Sequence, residues 1–194
     1  MKGVSAEDAS IFYLEEENTV RFERLTDCHD PRYETARALY GKSFPRHEQR
    51  EAASQAAILT HSDYRFNLIY DGDEFVGLLL CWETDDFIYV EHFCIEPDKR
   101  GCGYGSRALE LLNAAGKTVI LEIDPPVDEI SIRRRGFYER AHFQANPYPH
   151  VHPAYHADCE GHALVVMSAP APIDRAQYDA FNDYLCAVVM KDVC

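Results

Sequence analysis

The chain is short of positive charge. Nineteen Lys and Arg stand against 33 Asp and Glu, a formal net charge of -14. Nucleic-acid binding rests on a basic patch that this balance does not supply. An acidic surface instead favours cationic partners such as amines. Long apolar runs are also missing: none approaches the roughly 18 residues of a membrane span. The amino end carries Glu15, Glu16 and Glu17, where an export signal would be basic and then apolar. No membrane association is expected, and the chain reads as cytoplasmic. Disulfide patterning is absent too. Seven cysteines, an odd number at irregular spacing without a Cys-x-x-Cys pair, fit reduced thiols better than a covalent framework. There is no internal repeat and no low-complexity tract. With 194 residues, 46% of them hydrophobic, the chain can bury one substantial core.

What is present in concentrated form is glycine beside basic residues. Lys99-Arg100-Gly101-Cys102-Gly103-Tyr104-Gly105-Ser106 follows an apolar strand and opens an amphipathic helix. Glycines let backbone pass close to a ligand, and the first N–H groups of a helix have no partner inside it, which suits a phosphate. A P-loop would require Lys-Ser/Thr after the last glycine, and Ser106-Arg107 stands there instead. A dinucleotide turn, Gly-x-Gly-x-x-Gly, is half matched: Gly101-x-Gly103 fits, the third position is Ser106, and Glu122 lies where a ribose acid would. That pattern predicts affinity for NAD and remains an alternative.

Hydrophobic periodicity orders the rest of the chain. Alternation predicts a strand over residues 20–25. Asp30-Pro31 starts a helix with Tyr33, Ala36, Leu39 and Tyr40 on one face. A second helix is expected over 46–59, after the break at Phe44-Pro45. Strands follow over 64–70, 75–82 and 87–95, the first two joined by an Asp71-Gly72 hairpin turn. A helix from Tyr104 closes at Gly116, a buried strand covers 119–121, and a helix spans 128–140. Further strands are expected over 143–148 and 163–168, then a terminal helix over 173–191.

Arg100-x-x-Gly103-x-Gly105 and this element order together resemble the GNAT superfamily of acyl-CoA-dependent N-acyltransferases. The likeness extends over residues 20–168. It includes Gly136-Phe137-Tyr138-Glu139-Arg140-Ala141-His142-Phe143, similar to the family's Phe-Tyr-x-Arg-x-Gly-Phe segment, with His142 where glycine is usual. The resemblance implies an α/β fold of GNAT type, a mixed, mostly antiparallel central sheet with splayed parallel strands and flanking helices. It divides the chain into an acidic lead-in (1–19), an acyl-CoA N-acyltransferase domain (20–168) and a C-terminal helical extension (169–194). The terminal helix either packs on the domain or joins a homodimer.

The implied reaction is acetyl transfer from acetyl-CoA to a small primary amine by direct attack in a ternary complex. The alternative is a non-catalytic acyl-CoA sensor. An alkylamine is almost wholly protonated near neutrality, so a carboxylate must take a proton. By resemblance Glu91 is the first candidate base, with Glu122 on the adjacent strand in reserve. Tyr138 would protonate the departing sulfur. Phe93, Cys94 and Ile95 would offer backbone groups to the pantetheine chain, and Arg100, Gly101, Cys102, Gly103, Tyr104, Gly105 and Ser106 would surround the pyrophosphate. Arg133-Arg134-Arg135 reads as a solvated helix face, with the nucleotide phosphates as the other possibility. His150-x-His152-x3-His156-x2-Cys159-x2-His162 puts His150 and His152 on one strand face, as a metal would need. The spacing matches no zinc module, and no metal is expected.

Overall fold

The computed structural model describes residues 19–191 and Val193. The acidic lead-in therefore lies outside the described residues, except for Thr19. Helices flank both faces of a sheet ordered β1-β2-β3-β4-β5-β8-β6, with β7 paired to β8. The strands are β1 (Val20–Leu25), β2 (Tyr64–Asp71), β3 (Glu74–Glu83), β4 (Phe87–Ile95), β5 (Thr118–Ile123), β6 (Gln144–Ala145), β7 (His150–His152) and β8 (His162–Ala169). Only β4 and β5 run parallel. The helices are α1 (Arg32–Ser43), α2 (Ala52–Ile58), α3 (Tyr104–Asn113), α4 (Glu129–Arg140) and α5 (Arg175–Tyr184).

Alternation along the strands separates two apolar layers. One holds Tyr33, Ala36, Leu39 and Tyr40 of α1 and Tyr178 and Phe181 of α5 against Trp82, Tyr89 and Ile120. The other holds Ala108, Leu109 and Leu112 of α3 against Val90, Val119 and Leu121, with Phe137 and Tyr138 of α4 beside them. The C-terminal helix therefore packs on the sheet. Phe181, fully buried, meets the rings of Phe87 and Tyr89, and truncation of such a ring to alanine costs about 3–5 kcal/mol.

Three expected elements differ. The helix expected over 46–59 is a 3-10 turn, Arg46–Glu48, followed by α2. Gln49 and Glu51 are extended between them, which carries the Arg50 side chain into the interior and its N–H to the Tyr40 hydroxyl, 3.0 Å away. The strand expected over 143–148 shrinks to β6, because His142 turns the chain at φ 68° and Asn146 bonds instead to Ser168 and Ile173. β7 is the strand on which His150 and His152 were expected to share a face, but its three residues are too few for hydrophobic periodicity to register. The terminal helix begins later than expected, capped by Asp174 in a reciprocal box with Gln177, and ends in a π-helical turn, Leu185–Val189.

Candidate active site

Gly101 and Gly103 sit in the left-handed region, at φ 82° and 81°. A side chain there meets the following carbonyl, so the turn into α3 requires glycine. No side chain caps α3. The first donor satisfied within the helix is the Arg107 N–H, to Gly103 O at 3.1 Å, so those of Tyr104, Gly105 and Ser106 are left to an outside acceptor. A Cβ on Gly105 would lie 3.2 Å from Phe137 Cζ, so this glycine lets α3 and α4 pack closely. Lys99 braces the turn by donating to Phe75 O at 2.6 Å and pairing with Glu74 at 2.8 Å. Arg100 Nε donates to Ile95 O at 3.1 Å.

From this turn a cavity of about 1200 Å³ runs past the ends of β4 and β5. Pairing between the two strands stops at Val90 and Leu121, and Phe93, Cys94 and Ile95 line the cavity beyond that point. A parallel pair that opens in this way leaves a strand edge for an extended ligand. Tyr138 lines the same space. Burial pushes its hydroxyl up to about 12 against a smaller opposing effect of Arg134, so the phenol keeps its proton at neutral pH. Arg133 and Arg134 also border the cavity, with Arg134 bonded to Asp124 at 2.5 Å. Arg135 turns away to Glu139, and exposed Cys102 is outside the lining.

The far end of the cavity is built by a bulge. Leu80 pairs with His92 but Cys81 pairs with Val90, which leaves Glu91 as the extra residue of β4. The bulge breaks the alternation and sends Glu91 and His92 to the same face, that of α1 and α5. Glu91 is fully enclosed: Arg50 Nε donates to it at 2.9 Å, Trp82 Nε1 at 2.8 Å and the Tyr155 hydroxyl at 3.0 Å. Burial alone would raise its pKa, but the Arg50 charge, with His92 and the two neutral donors, holds it below the ordinary value. His92 Nε2 lies 2.7 Å from Glu48 O. A carbonyl only accepts, so Nε2 carries the proton. Burial lowers the His92 pKa despite Glu91, and the ring is neutral.

Glu122 reaches the same face from β5. Its carboxylate bonds to His150 Nε2 and accepts from the Tyr89 hydroxyl at 2.5 Å. Burial would raise its pKa, yet the bond to His150 and the electrostatic influence of His152 and His150 outweigh it, leaving the group below its ordinary value. His150 Nδ1 contacts the Tyr178 hydroxyl at 3.0 Å, which ties this carboxylate to α5. His152 Nδ1 lies 2.7 Å from Pro153 O. Its Nε2 sits 3.5 Å from the Tyr155 hydroxyl and 3.9 Å from Glu122 Oε2.

The structure thus brings Glu91, Glu122 and Tyr138 to one cavity with every expected coenzyme residue except Cys102. Sequence reasoning missed Arg50, His92 and Tyr155, which carry no local signal. It noticed the two-residue spacing of His150 and His152 and weighed a metal for their shared face, expecting none, but did not connect them with Glu122. The other donors of that segment go elsewhere: His156 bonds to Glu51 and Arg46 O, and Cys159 lies by Asp158. Only His162 joins a metal-compatible group at the cavity wall, with His47 and Glu48, their donor atoms within 4.8 Å of one another. His162 also pairs with Asp124 at 3.3 Å.

Comparison with known proteins agrees with this geometry. A protein of Bacteroides thetaiotaomicron assigned to the GNAT family superposes with a TM-score of 0.82 at 29% identity, covering 88% of this chain and 98% of that one. Arabidopsis thaliana Naa50, in complex with the bisubstrate analogue CoA-Ac-MVNAL, shares the fold with a TM-score of 0.55 at 17% identity, covering 77% of this chain and 97% of that one. YjbC of Bacillus subtilis (strain 168), which bears an acetyltransferase name, is 31% identical over 104 residues, 52% of this chain. The match spans about half of YjbC, 52% of its length. The model of the acetyltransferase (GNAT) family matches residues 22–143, and the chain belongs to that family.

Proposed function

We propose that this chain transfers an acetyl group from acetyl-CoA to a primary amine by direct attack within a ternary complex. The observation that carries the reading is the single cavity. It joins the uncapped start of α3 to the opened edge of β4 and ends among buried carboxylates. The N–H groups of Tyr104, Gly105 and Ser106 suit a pyrophosphate, and the backbone of Phe93, Cys94 and Ile95 suits the amides of an extended pantetheine arm. When bound, acetyl-CoA supplies an activated acyl carbon and a thiol leaving group. A β4 N–H stabilises the oxygen on which charge develops, and Tyr138 donates its proton to sulfur.

Of the two candidate bases, Glu91 is bound to a permanently charged guanidinium and two further donors. It anchors the floor of the acceptor pocket. Glu122 provides negative charge beside the incoming ammonium. The acceptor is a small primary amine or a protein amino group, whose cation an acidic pocket attracts.

The first test is calorimetric titration with acetyl-CoA, with NAD as control, followed by thiol release in the presence of amines. One-to-one binding of acetyl-CoA alone, with amine-dependent thiol release, supports the reading. Binding without release under any amine supports the sensor instead, and heat from NAD alone sinks both.

A further inference from the structure

Among the described residues, the cavity lining carries several potential proton acceptors, of which the carboxylates of β4 and β5, Glu91 and Glu122, are committed, and the affinity of His92 for a proton is lowered by burial. Both Glu91 oxygens accept from donors, Oε1 from Arg50 and Tyr155 and Oε2 from Trp82. Both Glu122 oxygens are likewise engaged, Oε1 by His150 and Oε2 by Tyr89. A carboxylate held by such donors is a weak base, because each bond favours its ionised form. His152 is different. Its Nδ1 faces the carbonyl of Pro153 at 2.7 Å, and a carbonyl accepts only, so in the neutral ring the proton is on Nδ1 and Nε2 keeps the lone pair, in a residue that lines the cavity. The side chain is 6% exposed and 3.9 Å from Glu122 Oε2, while Tyr155, at 3.5 Å, gives its proton to Glu91.

We propose that His152 Nε2 takes the proton from the acceptor amine, with Glu122 as the positioning carboxylate that stabilises the resulting imidazolium; this rests on the acetyl-transfer reading above. The bound ammonium gives one proton to Nε2, which passes it to solvent. The nitrogen lone pair forms the N–C bond, and the C–S bond breaks with its electron pair going to sulfur. The second nitrogen proton leaves as the product amide forms and balances the one that sulfur receives through Tyr138. His150 holds Glu122 from behind, itself in contact with the Tyr178 hydroxyl, so the carboxylate keeps its place as charge appears on His152. Three segments distant in sequence cooperate: β5, the strand β7 with its following loop, and α5.

The test exploits amine basicity. Removing a general base costs on the order of 10²–10⁴ in rate, but only for an acceptor that arrives protonated. Thiol release from acetyl-CoA is measured for wild type and His152→Gln with a panel of alkylamines, and with hydroxylamine, which is neutral near pH 7. The expected result is a loss of roughly a hundredfold or more with alkylamines, little change with hydroxylamine, and an unchanged Kd for acetyl-CoA. In wild type, kcat/KM should fall in acid; that limb should vanish in the variant. The groups facing the ring, Glu122, Glu91 with its partner Arg50, Tyr155 and His92, are retained. Equal losses with both kinds of amine, or equal rates for variant and wild type, overturn the assignment. If His152→Gln no longer binds acetyl-CoA, His152→Asn, whose amide can still donate to Pro153 O, takes its place in the same comparison. Failure of the underlying reading looks different: wild type itself would release no thiol with any amine.

Discussion

Replacing Arg50 with methionine isolates what the buried ion pair contributes. Arg50 and Glu91 meet at 2.9 Å with both side chains wholly excluded from solvent. Arg50 also donates to Val189 O at the end of the C-terminal π-helical turn. Methionine fills much of the volume but leaves the Glu91 carboxylate with only Trp82 and Tyr155 as donors. Removing one member of a buried pair costs about 3–5 kcal/mol at neutral pH. For a domain of this size each kcal/mol moves Tm by about 2–4 °C, so a fall of roughly 6–20 °C is expected. The pH dependence gives the sharper check. In wild type the folded Glu91 pKa lies below its ordinary value, so its contribution is present above the unfolded pKa, about 4.3, and is lost as pH falls through the lower folded value. In Arg50→Met, burial is the largest effect and has lost its main opponent, facing only His92 and the Trp82 and Tyr155 donors, so the folded pKa rises above the unfolded one. The penalty then grows as pH rises above about 4.3 and fades on acidification toward it. Denaturant midpoints at pH 7 and pH 5 should show the gap between variant and wild type narrowing in acid. Adding Glu91→Leu should restore much of the loss. A deficit under about 1 kcal/mol at pH 7, or one that does not narrow, would refute the reasoning.

Other perturbations test separate parts of the site. Tyr138→Phe removes a buried hydroxyl that keeps its proton to about pH 12; kcat should drop on the order of 10² with acetyl-CoA affinity unchanged by calorimetry, and unchanged turnover would remove it from the mechanism. Gly103→Ala meets no atom within 4 Å but forces a side chain to φ 81°. It should cost about 1–2 kcal/mol in thermal unfolding and weaken acetyl-CoA, whereas equal stability would mean the turn relaxes without strain. His142→Gly, at φ 68°, should be neutral or stabilising by up to about 1 kcal/mol, because relief of left-handed strain is partly offset by glycine's unfolded-state entropy. A loss above that size would show that the imidazole makes a contact of its own.

Those elements whose burial is periodic were legible in the sequence. Alternation announced β1 and β2, the Asp71-Gly72 turn announced β3 after them, and the glycine turn announced both the strand before it and the helix after it. His142 was noticed as a departure from glycine, and it takes the left-handed conformation that glycine would take. What stayed hidden depends on tertiary contact. Nothing near Arg50 signals that it pairs with a glutamate 41 positions away, and the segment around it is irregular so that it can do so. Tyr155 lies in a loop with no period to read. His150 and His152 were correctly expected on one face, but their shared neighbour is a carboxylate from β5, and a contact across 28 residues between two strands that each pair with β8 has no local signature.

The bulge explains why the two halves of the site can differ so much in chemistry. Without it, Glu91 and His92 would point to opposite faces, one of them into the layer beneath α3. With it, both face α1 and α5, while Phe93 and Ile95 remain on the α3 side. The α3 side then presents backbone donors and apolar surface, suited to an anionic, extended ligand. The opposite face gathers the charged and titratable groups Arg50, Glu91, Glu122, His92 and His152. The opening beyond Val90 and Leu121 is where the two faces meet. In the proposed reaction the nucleophile approaches from one and the acyl group along the other, so that they converge there. One inserted residue in β4, together with a parallel pair that stops after four rungs, thus makes a single cavity from two environments that a regular sheet would keep apart.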